Sequence, residues 1–328
     1  MRSADEGNGF EARIDPEIRA VLDRIPLLDL TDITRARRER QELAAATLER
    51  HRAPAHVRTQ DLSVPGLAGE PPVTVRLHRA RDQDEQAPAL LWVHGGGHVL
   101  GSAVQDDPLL QTLVARTGCV AVAVDWRRAP EFPYPAAVHD TYAALLWVAA
   151  SAEELRVDSG RIVLGGASSG GGVAAGVALF ARDRGEMAPT GQVLVYPMLD
   201  DRADTASSGM VRHHRLWNDE SNQIGWAAYL ADVVCGQTPL YAAPSRATDL
   251  AGLPPTWIGT GELDLFRDED IAYASGLLRA GVPTELHVYP GAVHGFDLFA
   301  PEAAVSRRFQ RDRDEAFDRF LGAVRTHH

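Results

Sequence analysis

At 328 residues, 45% of them hydrophobic and 24% charged, the chain can bury one large core or two modest ones. A formal charge of −12 argues against a nucleic-acid partner, because binding phosphate calls for the opposite sign. Cys119 and Cys235 are too few and too far apart for a disulfide framework or a metal site, and Cys119 sits in an apolar run that suits a buried thiol.

Met1 to Glu6 is polar and acidic, without the apolar core of a signal peptide, and no apolar run reaches transmembrane length. A cytoplasmic, reduced setting without integral membrane association is the expectation. Residues 1 to about 50 read as amphipathic helices. Pro16 to Leu22 places apolar groups at helical spacing, and Thr34 to Arg50 is a second, highly charged segment. The run from Arg35 to Arg40 mixes signs, which suits a solvated helix face. Such helices need a surface to cover, and residues 1–50 are expected to form cap helices over a pocket.

From about residue 56 the pattern turns to strands. Val73 to His78 alternates, as a half-buried strand should, whereas Ala89 to Val93 and Val120 to Val124 are apolar throughout, as central parallel strands covered on both faces should be. Further strands are expected at Arg161 to Leu164, Gln192 to Tyr196, Thr256 to Gly259 and Glu285 to Tyr289. Helices are expected near Leu109 to Arg116, at His139 to Leu155 and at Ala303 to Val324. Strands alternating with helices predict a single doubly wound, mostly parallel α/β sheet. Residues from about 201 to 240 interrupt that rhythm. Arg215 to Glu220 and Ile224 to Leu230 look helical and aromatic-rich, which suits an insertion at the C-terminal edge of the sheet, where open α/β folds place their sites.

The chemistry centres on Gly166-Ala167-Ser168-Ser169-Gly170, a G-x-S-x-G pattern between a β-branched run and a helix-forming stretch. A serine at the apex of a strand–turn–helix is a nucleophile elbow. Its backbone is strained and the residues two before and two after it pack closely, so both are best as glycine. Centring on Ser168 meets that demand, whereas centring on Ser169 puts Ala167 at one of those positions. Upstream, His94-Gly95-Gly96-Gly97-His98 directly follows an apolar strand and exposes bare N–H groups, as a site for a developing anion requires. It lacks the G-x-G-x-x-G spacing and the lysine of a phosphate-binding loop. Gly96, Gly97 and Ser169 are therefore the expected oxyanion donors, each worth about 3 kcal/mol of barrier in comparable sites. His94 and Gly95 are expected to support that loop and His98 to form a pocket wall.

An acid and a base follow later strands. Asp264 sits just after the strand at Thr256 to Gly259, and His294 lies in a small-residue loop after the last strand. The order Ser168, Asp264, His294 is that of an α/β-hydrolase triad. Asp200 and Asp201 also follow a strand and are the rival acids, while Asp268 and Asp270 suit the start of a helix, where they favour its dipole.

With these residues in place, the chain over roughly 60–325 resembles the bacterial hormone-sensitive-lipase-like carboxylesterases. The likeness rests on His94 to Gly97, Asp125-Trp126-Arg127-Arg128-Ala129-Pro130-Glu131, the Gly166 to Gly170 elbow, Tyr196 to Leu199, Asp264 to Glu269 and His294-Gly295-Phe296. The resemblance implies an α/β-hydrolase fold, with residues 51–328 as catalytic domain and a helical cap built from the N-terminus and the insertion at about 201–240. It implies hydrolysis of small-molecule esters with short to medium acyl chains, with no cofactor and no metal. This chain departs from the pattern at Ala167, where an acid is common, at Ser169, where a small apolar residue is common, and at His98, which replaces an aromatic and implies a more polar pocket. Asp125 and Glu131 read as braces for the loops around the oxyanion glycines. An amide, formamide or thioester hydrolase could use the same machinery. A non-catalytic binding protein of this fold would have lost a triad member, and none is lost here. A homodimer is left open.

Overall fold

The structure, a computed structural model, describes residues 5–322. Eight strands form one sheet in the order β1-β2-β4-β3-β5-β6-β7-β8. They are β1 (Val57–Val64), β2 (Val73–Ala80), β3 (Ala87–Val93), β4 (Val120–Asp125), β5 (Val157–Ala167), β6 (Gly191–Val195), β7 (Thr256–Gly261) and β8 (Thr284–Tyr289). β2 pairs antiparallel with both β1 and β4, and every pairing from β4 across to β8 is parallel. This is the α/β-hydrolase fold.

The helices, in chain order, are α1 (Asp5–Arg13), α2 (Pro16–Leu22), α3 (Ile33–Arg50), α4 (Asp107–Thr117), α5 (Ala136–Ala150), α6 (Ala152–Leu155), α7 (Ser169–Arg184), α8 (Asp219–Tyr229), α9 (Arg267–Arg279), α10 (Phe296–Phe299) and α11 (Ala304–Leu321). α5 and α7 pack together against one face of the sheet, and α4 and α11 against the other. With both faces covered, β6 is buried at every position and β3 and β4 at nearly every one, which is why β3 and β4 read as apolar runs, while the buried Gln192 of β6 donates to Thr256 Oγ1 at 3.1 Å.

Local chemistry sets the ends. Asp15 caps α2 by accepting the N–H groups of Glu17 and Ile18, with Pro16 in the first turn, and Asp32 caps α3 through the N–H of Arg35. The helix expected over His139 to Leu155 is two, because the chain breaks at Ser151 and α6 ends on Arg156 in the left-handed region. Arg215 to Asn218 is not helical. Asn218 accepts the N–H of Ser221 and so starts α8 at Asp219, leaving Trp217 outside the helix. The C-terminal end expected at Val324 lies outside the described residues. Among the described residues, no helix is long and apolar enough to cross a membrane.

Candidate active site

Three parallel strands deliver three side chains to one edge of the sheet. Ser168 follows β5, Asp264 the end of β7, and His294 the end of β8. Ser168 has φ 56° and ψ −124°, a strained backbone that lifts its side chain clear of the turn. The strain is held from several sides. The Ser168 N–H donates to Val195 O at 2.9 Å, and its carbonyl accepts from Met198 at 3.0 Å and Gly172 at 3.1 Å. The flanking glycine is a matter of space, since a side chain at Gly170 would overlap the carbonyl oxygens of Val93 and His94.

His294 Nε2 lies 3.0 Å from Ser168 Oγ, and its Nδ1 lies 2.7 Å from Asp264 Oδ2. A carboxylate only accepts, so the proton sits on Nδ1 and Nε2 is free to receive one from the serine. The other carboxylate oxygen, Oδ1, accepts the N–H of Phe266 at 3.0 Å, which fixes the plane of the acid. Edges of Tyr196 and Phe266 flank the imidazole with ring centroids 4.7 and 5.1 Å away, and the Tyr196 hydroxyl is tied to Asp297 at 2.9 Å. The rival acids are engaged elsewhere. Asp200 pairs with Arg202, and Asp201 accepts from Arg246 at 2.6 Å and Thr238 at 2.8 Å. Glu269 and Asp270 are buried behind Asp264. Burial raises both well above the usual carboxylate range.

The glycine loop after β3 reaches over the same point. Ser169 opens α7, so its N–H is among those a helix leaves without an internal partner. Gly96 has its carbonyl turned back into the loop, accepting from Val99 at 3.2 Å and Leu100 at 2.8 Å. Gly97, at φ 58°, lies directly under the Trp217 ring, where any Cβ would collide. Gly97→Ala must therefore displace Trp217 and adopt a left-handed backbone, at a cost of about 1–2 kcal/mol. A loss of at least tenfold in kcat, with a fall in the thermal midpoint, is the expected outcome, since an N–H misplaced by about 1 Å can cost about 10²-fold.

The two loop histidines do different jobs. His94 is fully buried, stacked on Trp126 at 4.9 Å, with Nδ1 2.9 Å from Gly95 O. Burial holds it down to about 4, so it is neutral and supports the loop by packing and one hydrogen bond. His98 is buried in the left-handed region and lies flat on Tyr229 of α8, ring centroids 3.9 Å apart, with Trp226 5.1 Å away. Burial pushes it down to about 3, so it serves as an aromatic plate between the loop and α8. Asp125 and Glu131 do brace the loops. Asp125 pairs with Arg128 at 3.1 Å, and Glu131 receives Arg37. Arg37 lies in the mixed-sign run expected to form a solvated face, but the buried Ala36 beside it shows that this side of α3 turns inward.

A family profile described as alpha/beta hydrolase fold matches residues 90–298. Esterase LipI of Mycobacterium tuberculosis is 35% identical over 312 residues, covering 92% of this chain and 93% of that protein. Carboxylesterase NlhH of the same species is 35% identical over 298 residues, covering 88% and 90%. Among solved structures, a bacterial heroin esterase superposes with a TM-score of 0.91 at 42% identity, covering 94% of this chain and 98% of that one. Esterase LipW of Mycobacterium marinum gives 0.85 at 39% identity, covering 94% and 96%. With its sheet order, helix layers and relatives in agreement, the chain belongs to the hormone-sensitive-lipase-like family of α/β-hydrolases and is a carboxylic ester hydrolase.

Proposed function

We propose that ester hydrolysis runs through Ser168, His294 and Asp264 by an acyl-enzyme. His294 takes the proton of Ser168 as Oγ attacks the ester carbonyl, then hands it to the leaving alcohol. Water repeats the cycle on the acyl-enzyme. The N–H groups of Gly96, Gly97 and Ser169 take the oxyanion, with His94 and Gly95 supporting them. The observation that carries this reading is the Ser168–His294–Asp264 chain at 3.0 and 2.7 Å, with both imidazole nitrogens aligned.

Residues 1–50 and about 201–240 act together as the cap. Leu28 N–H donates to His214 O at 2.9 Å, Arg215 donates to Ile25 O, and Trp217 and α8 lie over the oxyanion glycines, which supports a two-part cover on the site. Aromatic packing from Trp217, Trp226 and Tyr229 so close to the glycines favours short to medium acyl chains over long ones. A second copy of the chain could pair along β8, the edge strand beyond β7.

Titration with diethyl p-nitrophenyl phosphate tests the nucleophile. One equivalent should silence esterase activity and place the phosphoryl group on the peptide containing Ser168. Full activity after stoichiometric treatment, or the label on another residue, would sink the assignment. A p-nitrophenyl ester series from acetate to palmitate should peak at short to medium length, and a maximum at palmitate would contradict the cap geometry.

A further inference from the structure

Arg37 projects from α3 in the N-terminal segment and spends four hydrogen bonds on the two loops beside the oxyanion glycines. Its Nε donates to Val99 O at 2.7 Å, and Nη2 to Ala129 O at 2.6 Å. Nη1 and Nη2 each donate to one oxygen of Glu131 at 2.8 Å, a bidentate pair that fixes the guanidinium plane.

The peptide geometry extends that contact to the site. A peptide unit is planar and trans, so its C=O and N–H point in opposite directions. Arg37 holds the carbonyl of the Val99–Leu100 unit. The N–H of that same unit, on Leu100, donates to Gly96 O at 2.8 Å. Gly96 O belongs to the Gly96–Gly97 unit, whose N–H is that of Gly97. A second branch joins at the same carbonyl. Ala129 N–H donates to His98 O at 3.0 Å, and the other end of the His98–Val99 unit, Val99 N–H, donates to Gly96 O at 3.2 Å. The first branch begins at a carbonyl that Arg37 holds, the second at the N–H of Ala129, whose own carbonyl Arg37 holds in the neighbouring peptide unit, and both end on the carbonyl opposite the Gly97 N–H.

We propose that Arg37 is a positioning residue for the oxyanion hole, aiming and polarising the Gly97 N–H through two successive peptide units. The proposal rests on Gly97 being an oxyanion donor. A cation at one end of a hydrogen-bonded chain strengthens each donor along it, and the effect grows as negative charge develops at the other end. The N-terminal cap therefore belongs to the catalytic framework as well as covering the site. It also holds the opposite loop. Asp15 N–H donates to Gly291 O at 2.9 Å, three residues before the base, and Glu262 accepts both Gly291 N–H at 2.9 Å and Arg13 at 2.6 Å.

The test compares Arg37→Gln, Arg37→Lys and Arg35→Gln in the full-length protein. Arg35 sits on the same helix but faces solvent with Asp29 and Glu39, so its loss should leave kcat unchanged. Loss of one direct oxyanion donor costs about 10²–10³-fold in kcat, and Arg37→Gln, one step removed, should cost roughly 10- to 100-fold with KM within about threefold. Arg37→Lys keeps a charge able to reach one carbonyl and should recover part of that loss. The decisive readout is inhibition by phenylboronic acid, whose tetrahedral adduct on serine places an anionic oxygen in the oxyanion hole. Its Ki should rise by the same factor as kcat falls. Unchanged kcat in Arg37→Gln would overturn the proposal, and so would a lower kcat with an unchanged boronate Ki and a lowered thermal midpoint. If Arg37→Gln does not fold, Arg37→Lys carries the same comparison. If wild-type enzyme fails to bind the boronate at all, the serine reading beneath the proposal is what falls.

Discussion

Ser168→Ala should reduce kcat for p-nitrophenyl acetate or butyrate by on the order of 10⁵- to 10⁶-fold, the scale found when a serine hydrolase loses its nucleophile. The protein itself should be unharmed, because among the described residues the Ser168 hydroxyl is paired only with His294 and contributes nothing to the core. Its strained φ of 56° is no worse for alanine, since both residues carry a Cβ. The thermal midpoint is expected to stay the same or rise slightly, since an active-site hydroxyl is removed without loss of packing. Circular dichroism melts beside steady-state rates check both halves. Retained turnover in a folded Ser168→Ala protein would refute the covalent route outright. Ser169→Ala is the matched comparison. It leaves the backbone N–H in place and removes a hydroxyl without a protein partner among the described residues, so kcat should move by less than about fivefold if the N–H is what counts.

The second large effect is Asp264→Asn, expected to lower kcat by about 10⁴-fold with KM little changed. The geometry explains why so small a change matters. Oδ1 is committed to the N–H of Phe266, so the oxygen of the new amide stays there and its NH₂ is turned toward His294 Nδ1. Two donors cannot face each other. The imidazole must then carry its proton on Nε2, pointing at Ser168 Oγ, where a base is needed. The same replacement at Asp200 alters only a pair with Arg202 and should leave kcat within an order of magnitude. A large loss in Asp200→Asn with a small one in Asp264→Asn would reverse the assignment of the acid.

The elements that bear these groups were legible in the sequence for a physical reason. Strands covered on both faces must be apolar along their length, as Ala89 to Val93 and Val120 to Val124 are, and reactive groups must leave such strands at their ends. Asp264 and His294 follow strand ends in this way, after β7 and β8. Trp217 carries no such signal. Its neighbours have helical composition, and the capping bond that the Ser221 N–H donates to Asn218 starts the helix at Asp219, two residues after it. The stacking of His98 on Tyr229, some 130 residues away, is likewise supplied by the fold and has no signal in the local sequence. Arg37 was hidden by the charge run around it. A guanidinium facing water and one gripping backbone carbonyls look the same in sequence, and the partners at Val99 and Ala129 are supplied by the fold alone.

The strand order has a consequence for how activity is acquired. The glycine loop hangs on β3, and the groups proposed as nucleophile, acid and base follow β5, β7 and β8, so the proposed site is distributed from residue 94 to residue 294. Such distant pairings are the slow part of forming a sheet. Local helices and the early strands can be complete while β8 is still undocked, and such a molecule would have nearly full secondary structure and no base beside its serine. During refolding, turnover should therefore return only once β8 has seated on β7, whatever the helix content by then.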